Sequence, residues 1–193
     1  EGVTIRLKKR IPIAAGLGGG SSDGAAVLSA MAELFADTIP TDLDTLCAIG
    51  STVGADIPFC IVGGCAKTLG IGDRITPLDY HPQCAIVLAR GGEGVSTLAS
   101  DFGDFDGFLA SLAHDDRLPQ HMHNTFESVI LPLHPEAAHI HRLLRDKGGV
   151  SLMSGSGPTV FGLFDDPEKA RAAYETLVGE GTEAYLTGAI SRI

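Results

Sequence analysis

The residues with the clearest chemical potential run from Pro12 through Ile13, Ala14, Ala15, Gly16, Leu17, Gly18, Gly19, Gly20 and Ser21 to Ser22. Four glycines fall within the five residues 16–20, and two hydroxyls follow at once. Glycine lets a backbone approach an anion that a Cβ would hold off. Where such a loop opens a helix, it adds unpaired N–H groups and the positive end of the helix dipole. The segment therefore reads as a phosphate cradle, in which Ser21 and Ser22 can reach phosphate oxygens or a bound Mg2+. It lacks the Gly-Lys-Ser/Thr of a Walker A loop, and Ser21 stands where a dinucleotide fingerprint has its third glycine. The same composition also suits a plain flexible turn.

Two further segments bear on this chemistry. Met153-Ser154-Gly155-Ser156-Gly157-Pro158 is a second glycine-serine loop, between two expected strands. Alone it reads as a turn; two such loops in one chain favour a shared anionic ligand between them. Gly54-Ala55-Asp56-Ile57-Pro58-Phe59 places a carboxylate inside an apolar stretch, at an expected helix-to-strand junction. Asp56 is there either as a cap satisfied by backbone N–H groups or as a catalytic group. Beside a phosphate loop, a carboxylate that accepts a hydroxyl proton is what phosphoryl transfer requires.

Other reactive residues carry less. Cys47, Cys60, Cys65 and Cys84 form no CxxC pair and read as small buried hydrophobes of a reduced protein. Of the histidines, His121, His123, His139 and His141 invite a metal reading. His139 and His141 are two apart in an expected helix, however, and so point to different faces. No metal ligand set can be assigned.

The elements that must position these groups follow from periodicity. Val3, Ile5 and Leu7 alternate with Thr4, Arg6 and Lys8, which predicts a strand over 3–9. Ala25, Ala26, Val27, Leu28, Met31, Leu34 and Phe35 recur at helical spacing after a Ser or Asp23 cap. A second helix is expected from Thr41, with Thr41 and Asp44 as a capping pair. Strands are expected at 66–69, 74–78 and 85–89, and the apolar run 57–62 leads into them. Residues 96–126 read as mostly helical. A helix over 135–147 opens on Pro135 and stops at Gly148. The tail reads strand, glycine loop, strand, helix, strand over 150–190, with Asp166 as the cap of the last helix. Two α+β lobes are expected, 1–84 and 85–193.

Composition bounds the function. The chain has 193 residues, 44% hydrophobic and 20% charged, so it can bury a core. Its formal charge of −10 argues against nucleic acid as the main partner. No apolar run approaches the ~20 residues of a membrane span, and no secretory signal opens the chain. A cytoplasmic protein is expected.

The motifs also carry a family likeness. Pro12-x3-Gly16-Leu17-Gly18 through Ser22 resembles the phosphate loop of the GHMP kinases. The extra glycines resemble the branch that acts on a cytidylated methylerythritol in non-mevalonate isoprenoid synthesis. Gly54–Phe59, Gly70–Pro77, Asn124-x-Phe126-Glu127 and Met153–Phe161 agree with that branch, in order, over nearly the whole chain. The likeness implies a partial ribosomal-S5-like N-terminal lobe and a ferredoxin-like C-terminal lobe. It implies ATP-dependent phosphorylation of the substrate's 2-hydroxyl with Mg2+. Asp56 would be the base, and the loop 12–22 with Gly155 and Ser156 would hold ATP. Gly54, Asp56, Ser96 and Thr97 would meet substrate; the oligomeric state is left open. A homoserine- or mevalonate-type substrate is the alternative.

Two departures qualify the likeness. Gly24 stands where alanine is usual, which weakens a helix start by up to ~1 kcal/mol. The family's catalytic lysine precedes the phosphate loop by more chain than Glu1 allows, and Lys8 and Lys9 belong to another strand. The resemblance thus implies a chain truncated at its start, at best feebly active or a nucleotide-binding remnant, since losing a preorganised donor costs about 3–4 kcal/mol.

Overall fold

The computed structural model describes residues 2–72, 74–80, 82–92 and 122–189. Helix α1 (Gly19–Leu34) leads directly out of the first glycine loop. Its N-cap is Gly18, in the left-handed region at φ 61°, and no side chain caps it. The expected Ser or Asp23 cap is therefore displaced: the helix starts earlier and takes Gly19, Gly20, Ser21 and Ser22 into its first turn. Helix α2 (Leu43–Val53) is capped by Asp42, whose carboxylate accepts from the Thr45 amide at 2.9 Å. The Thr41–Asp44 pair is not the cap: the helix starts one residue later than expected, with Asp42 at the N-cap, so the donor that is capped is the Thr45 amide.

The apolar run after Asp56 is a third helix, α3 (Ile57–Val62), not a strand. A short apolar run cannot be told from a buried helix by periodicity. Here Pro58 suits a first helical turn, and Gly63 at φ 66° ends it. What holds α3 in place is close packing on two glycines. A Cβ on Gly50 of α2 would stand 2.7 Å from Ile57 Cγ2, and one on Gly24 of α1 would stand 3.1 Å from Ile57 Cδ1. The unusual Gly24 is thus the space that Ile57 occupies.

Strands β1 (Cys65–Leu69) and β2 (Arg74–Leu78) pair antiparallel, Cys65 opposite Leu78 and Leu69 opposite Arg74. Residues 3–9, expected as a strand, pair with no strand among the described residues. The alternation is real, but a strand exists only by its ladder partner. Val3 and Ile5 instead line an apolar groove with Ala26, Val27, Ala30 and Met31 of α1.

The remaining strands are β3 (Ala85–Arg90), β4 (Val150–Met153), β5 (Thr159–Phe164) and β6 (Ala184–Gly188). They form one antiparallel sheet in the order β4-β5-β3-β6. This order, with β4–β5 as a hairpin and helices crossing between the other pairs, is the ferredoxin-like arrangement. Helices α4 (Glu127–Leu133) and α5 (Pro135–Asp146) precede β4, and α6 (Pro167–Gly179) precedes β6. Asp166 caps α6 by accepting from the Glu168 amide, as expected. Ala137, Ile140, Leu143 and Leu144 of α5 recur at helical spacing and are buried. With Ala170, Ala173 and Leu177 of α6 they cover Val87, Ala89, Val160 and Phe164 of the sheet. Each large side chain buried there contributes about 1.5–3 kcal/mol. The fold is α+β with two sheets, and its core holds the second glycine loop, between β4 and β5, on a rigid hairpin.

Candidate active site

The two glycine loops meet. Ser154 Oγ donates to the Gly16 carbonyl oxygen at 2.7 Å. Gly16 has φ 71°, and a Cβ there would collide with the carbonyl oxygen of Ser154. Gly155, at φ 55°, faces back, with its own Cβ position 3.3 Å from the Gly16 oxygen. Both glycines are required twice, by backbone conformation and by the closeness of the opposing chain. Ala14 also has positive φ, at 55°, and adjacent Ala15 is buried and anchors the loop.

The first loop ends in the uncapped start of α1. The amides of Gly19, Gly20 and Ser21 have no carbonyl one turn earlier to bond, and no side chain substitutes for one; the Ser22 amide is the first to find one, on Gly18 at 2.9 Å. Positions where Gly18 and Gly20 would carry a Cβ open onto empty space. An uncapped helix start with open space beside its glycines fits the phosphates of a nucleotide. Ser22 Oγ donates to the Gly19 carbonyl at 3.1 Å, which leaves its lone pairs available as acceptors or metal contacts.

Lys9 completes this corner, a role that periodicity did not reveal. Its ammonium donates to the Gly19 carbonyl oxygen at 3.0 Å and pairs with Asp23, so the helix start is pinned from outside. Asn124 and Glu127 are a second such finding. The Asn124 amide nitrogen donates to the carbonyl oxygens of Met153 at 2.7 Å and Gly155 at 2.8 Å. Glu127 Oε1 accepts from the Met153 amide at 2.6 Å. Only the Asn-x-Phe-Glu pattern singled them out in the sequence.

Asp56 precedes α3 in an exposed position, and its carboxylate makes no capping bond there. Of the two readings of Asp56, the cap is therefore set aside. Asp56 lines a hollow of about 150 Å³ with Phe59, Ala66, Thr68 and Gly72. Its link to the glycine loop runs through packing: α1 starts at the loop, and its Gly24 touches Ile57, the residue after Asp56. Cys60 lies on the same short helix. Burial pushes its thiol pKa up, and the Asp56 charge adds to that. Gly54 ends α2 just before Asp56. Ser96, Thr97 and His121 lie outside the described residues.

All four cysteines are free and half-buried. His139 and His141 do point apart, His139 to Glu180 at 2.7 Å and His141 to Glu127 at 3.6 Å. Among the described residues no three His, Cys, Asp or Glu side chains converge as a metal cage. No helix among them is long and apolar enough to cross a membrane.

Residues 1–64 match the model of the GHMP kinases N terminal domain, and residues 98–182 that of the GHMP kinases C terminal domain. The chain is 40% identical over 199 residues to a 4-diphosphocytidyl-2-C-methyl-D-erythritol kinase of Exiguobacterium sibiricum, covering 96% of this chain and 68% of that one. It is 40% identical over 198 residues to the like-named protein of Enterococcus faecalis, covering 96% and 69%. A solved 4-(cytidine 5'-diphospho)-2C-methyl-D-erythritol kinase superposes with TM-score 0.76 at 34% identity, over 96% of this chain and 70% of that one. A homoserine kinase from Cytophaga hutchinsonii superposes with TM-score 0.69 at 16% identity, over 95% of this chain and 68% of that one, which speaks for the fold alone. Two family models in order, and relatives matched over two thirds of their length, establish that this chain belongs to the GHMP kinase family.

Proposed function

We propose that the protein transfers the γ-phosphoryl group of ATP to the 2-hydroxyl of 4-diphosphocytidyl-2-C-methyl-D-erythritol, a step of non-mevalonate isoprenoid synthesis. One observation carries the reading: the Ser154–Gly16 contact joins two glycine loops at the uncapped start of α1. The identity to kinases of that name selects the substrate over homoserine.

In this reading the first-turn amides of α1 and the 12–22 loop take the β and γ phosphates, and Gly155 and Ser156 approach from the opposite side. Bound ATP supplies the phosphoryl donor. Asp56 orients the acceptor hydroxyl and takes its proton, a role that suits a carboxylate free of capping duty. Gly54, Ser96 and Thr97 complete the substrate side. Magnesium binds chiefly through nucleotide phosphates, waters and one or two protein oxygens. In this reading Ser21 and Ser22 supply hydroxyl oxygens to it. We place the lobe boundary between residues 84 and 85, and the protein, with its four free thiols, in the cytoplasm.

The test is a coupled assay with ATP, Mg2+ and, in parallel, the cytidylated methylerythritol, homoserine and a mevalonate phosphate. Phosphate appearing only on the 2-hydroxyl of the first is expected. Preferential turnover of either other acceptor overturns the substrate assignment.

A further inference from the structure

We propose that Asn124 and Glu127 are positioning residues for the nucleotide, acting through the Met153–Gly157 turn; the inference rests on the phosphotransfer reading above. The turn between β4 and β5 is rich in glycine, and glycine permits several backbone conformations of similar energy. Something outside the turn must select one. Its own bonds are few: the Ser154 amide donates to the Thr159 oxygen at 2.8 Å, and the Gly157 amide donates to the Ser154 oxygen at 2.9 Å.

The selection comes from the turn that opens α4. Asn124 grips two carbonyls, those of Met153 and Gly155, with one amide group. Glu127 takes the Met153 amide, so both main-chain polar groups of Met153 are held by side chains 26–29 residues earlier. Asn124 is itself fixed, because its Oδ1 accepts from the Phe126 amide at 2.9 Å. His141 stands behind Glu127 on α5.

The consequence follows from peptide planarity. In a trans peptide the C=O and the following N–H point in opposite directions. With the Gly155 carbonyl turned to Asn124, the Ser156 N–H is turned away from α4. Asn124 thereby sets the direction in which the second loop offers its donor, while Ser154 seats that loop on Gly16. If Asn124 is lost, the 155–156 peptide can flip and present a carbonyl where a phosphate expects a donor.

The test compares Asn124→Asp, Asn124→Ala, Glu127→Ala and Glu127→Gln by equilibrium ATP binding, by KM for each substrate, and by amide hydrogen exchange. Asn124→Asp sets a carboxylate oxygen against two carbonyls and is expected to raise the ATP Kd about tenfold or more. KM for ATP should rise while KM for the acceptor holds. Exchange at the Ser154 and Gly157 amides should quicken. Glu127→Gln keeps the acceptor oxygen and should bind ATP as the wild type does, whereas Glu127→Ala should not. Ile140→Val, a mild change in the core, controls for lost stability and should leave ATP affinity unchanged. Wild-type ATP affinity in both Asn124 variants overturns the proposal. If the wild type itself binds no ATP, the phosphotransfer reading fails; exchange at Ser154 and Gly157 then decides the clamp, and its constancy in Asn124→Asp overturns it.

Discussion

Ser154 and Gly16 are 138 residues apart in the chain, yet the hydroxyl of one donates to the carbonyl of the other at 2.7 Å. This bond ties the β4–β5 hairpin to the loop that launches α1. The two glycine segments thereby lie against each other.

Replacing Gly16 tests that junction. Gly16→Ala puts a Cβ on a left-handed residue, at about 1–2 kcal/mol, and drives it into the Ser154 carbonyl. Urea denaturation should show a loss of about 2 kcal/mol or more, and ATP binding should weaken. Ser154→Ala removes one hydrogen bond, worth about 1 kcal/mol, and should leave the fold intact. A Gly16→Ala protein as stable as the wild type would contradict the close approach of the loops.

Asp56 separates chemistry from stability. Its carboxylate caps nothing and is exposed, so Asp56→Asn should change stability by no more than about 0.5 kcal/mol. Phosphotransfer should fall about 10²- to 10⁴-fold. The same substitution has a second readout. Burial is the larger cause of the raised Cys60 thiol, and the Asp56 charge is the smaller. Removing that charge should raise the thiolate fraction and quicken alkylation of Cys60 at about pH 8, followed by peptide mass spectrometry. An unchanged rate would mean that the carboxylate does not face Cys60.

Gly24 and Ile57 form a coupled pair. Alanine at position 24 gains up to about 1 kcal/mol of helix propensity but brings a Cβ 3.1 Å from Ile57 Cδ1. Ile57→Val deletes that Cδ1. A double-mutant cycle should therefore show Gly24→Ala more favourable in the Ile57→Val background by about 0.5 kcal/mol or more. Additive effects would place the crowding elsewhere.

Asp42 carries a pH signature. Its backbone bond from Thr45 holds its carboxyl below the usual value of 3.8. A depressed folded-state pKa means stability that is present above the unfolded value and lost as pH falls through the folded one. Asp42→Ala should therefore be less stable than the wild type near neutral pH. The gap should close as pH drops below the wild-type unfolded value. Thermal melts across that range check it; a gap that widens in acid would reverse the assignment.

Much of this was legible in the sequence. The ferredoxin-like tail, with its strands at 150–153 and 159–164 and the helix from Pro167, follows from period and caps, which are local. Composition and family resemblance mark the glycine loops and Asp56 as the candidate site, because few residue types can cradle phosphate or take a proton.

Where tertiary partners decide, local reading failed. The run 57–62 is helical, and its Ile57 packs into the gaps at Gly24 and Gly50, a fit that a period cannot express. Residues 3–9 alternate like a strand but have no ladder partner among the described residues. Lys9, Asn124 and Glu127 have no distinctive spacing relative to what they hold. Their work is done on backbone carbonyls and amides, which every residue possesses, so only folding shows which ones they grip. The sequence by itself determined which groups could do phosphoryl chemistry, because that depends on residue type. The tertiary structure alone decided that two of the loops face each other and what keeps them there, because hydrogen bonds across 138 residues depend on three-dimensional approach and leave no local mark.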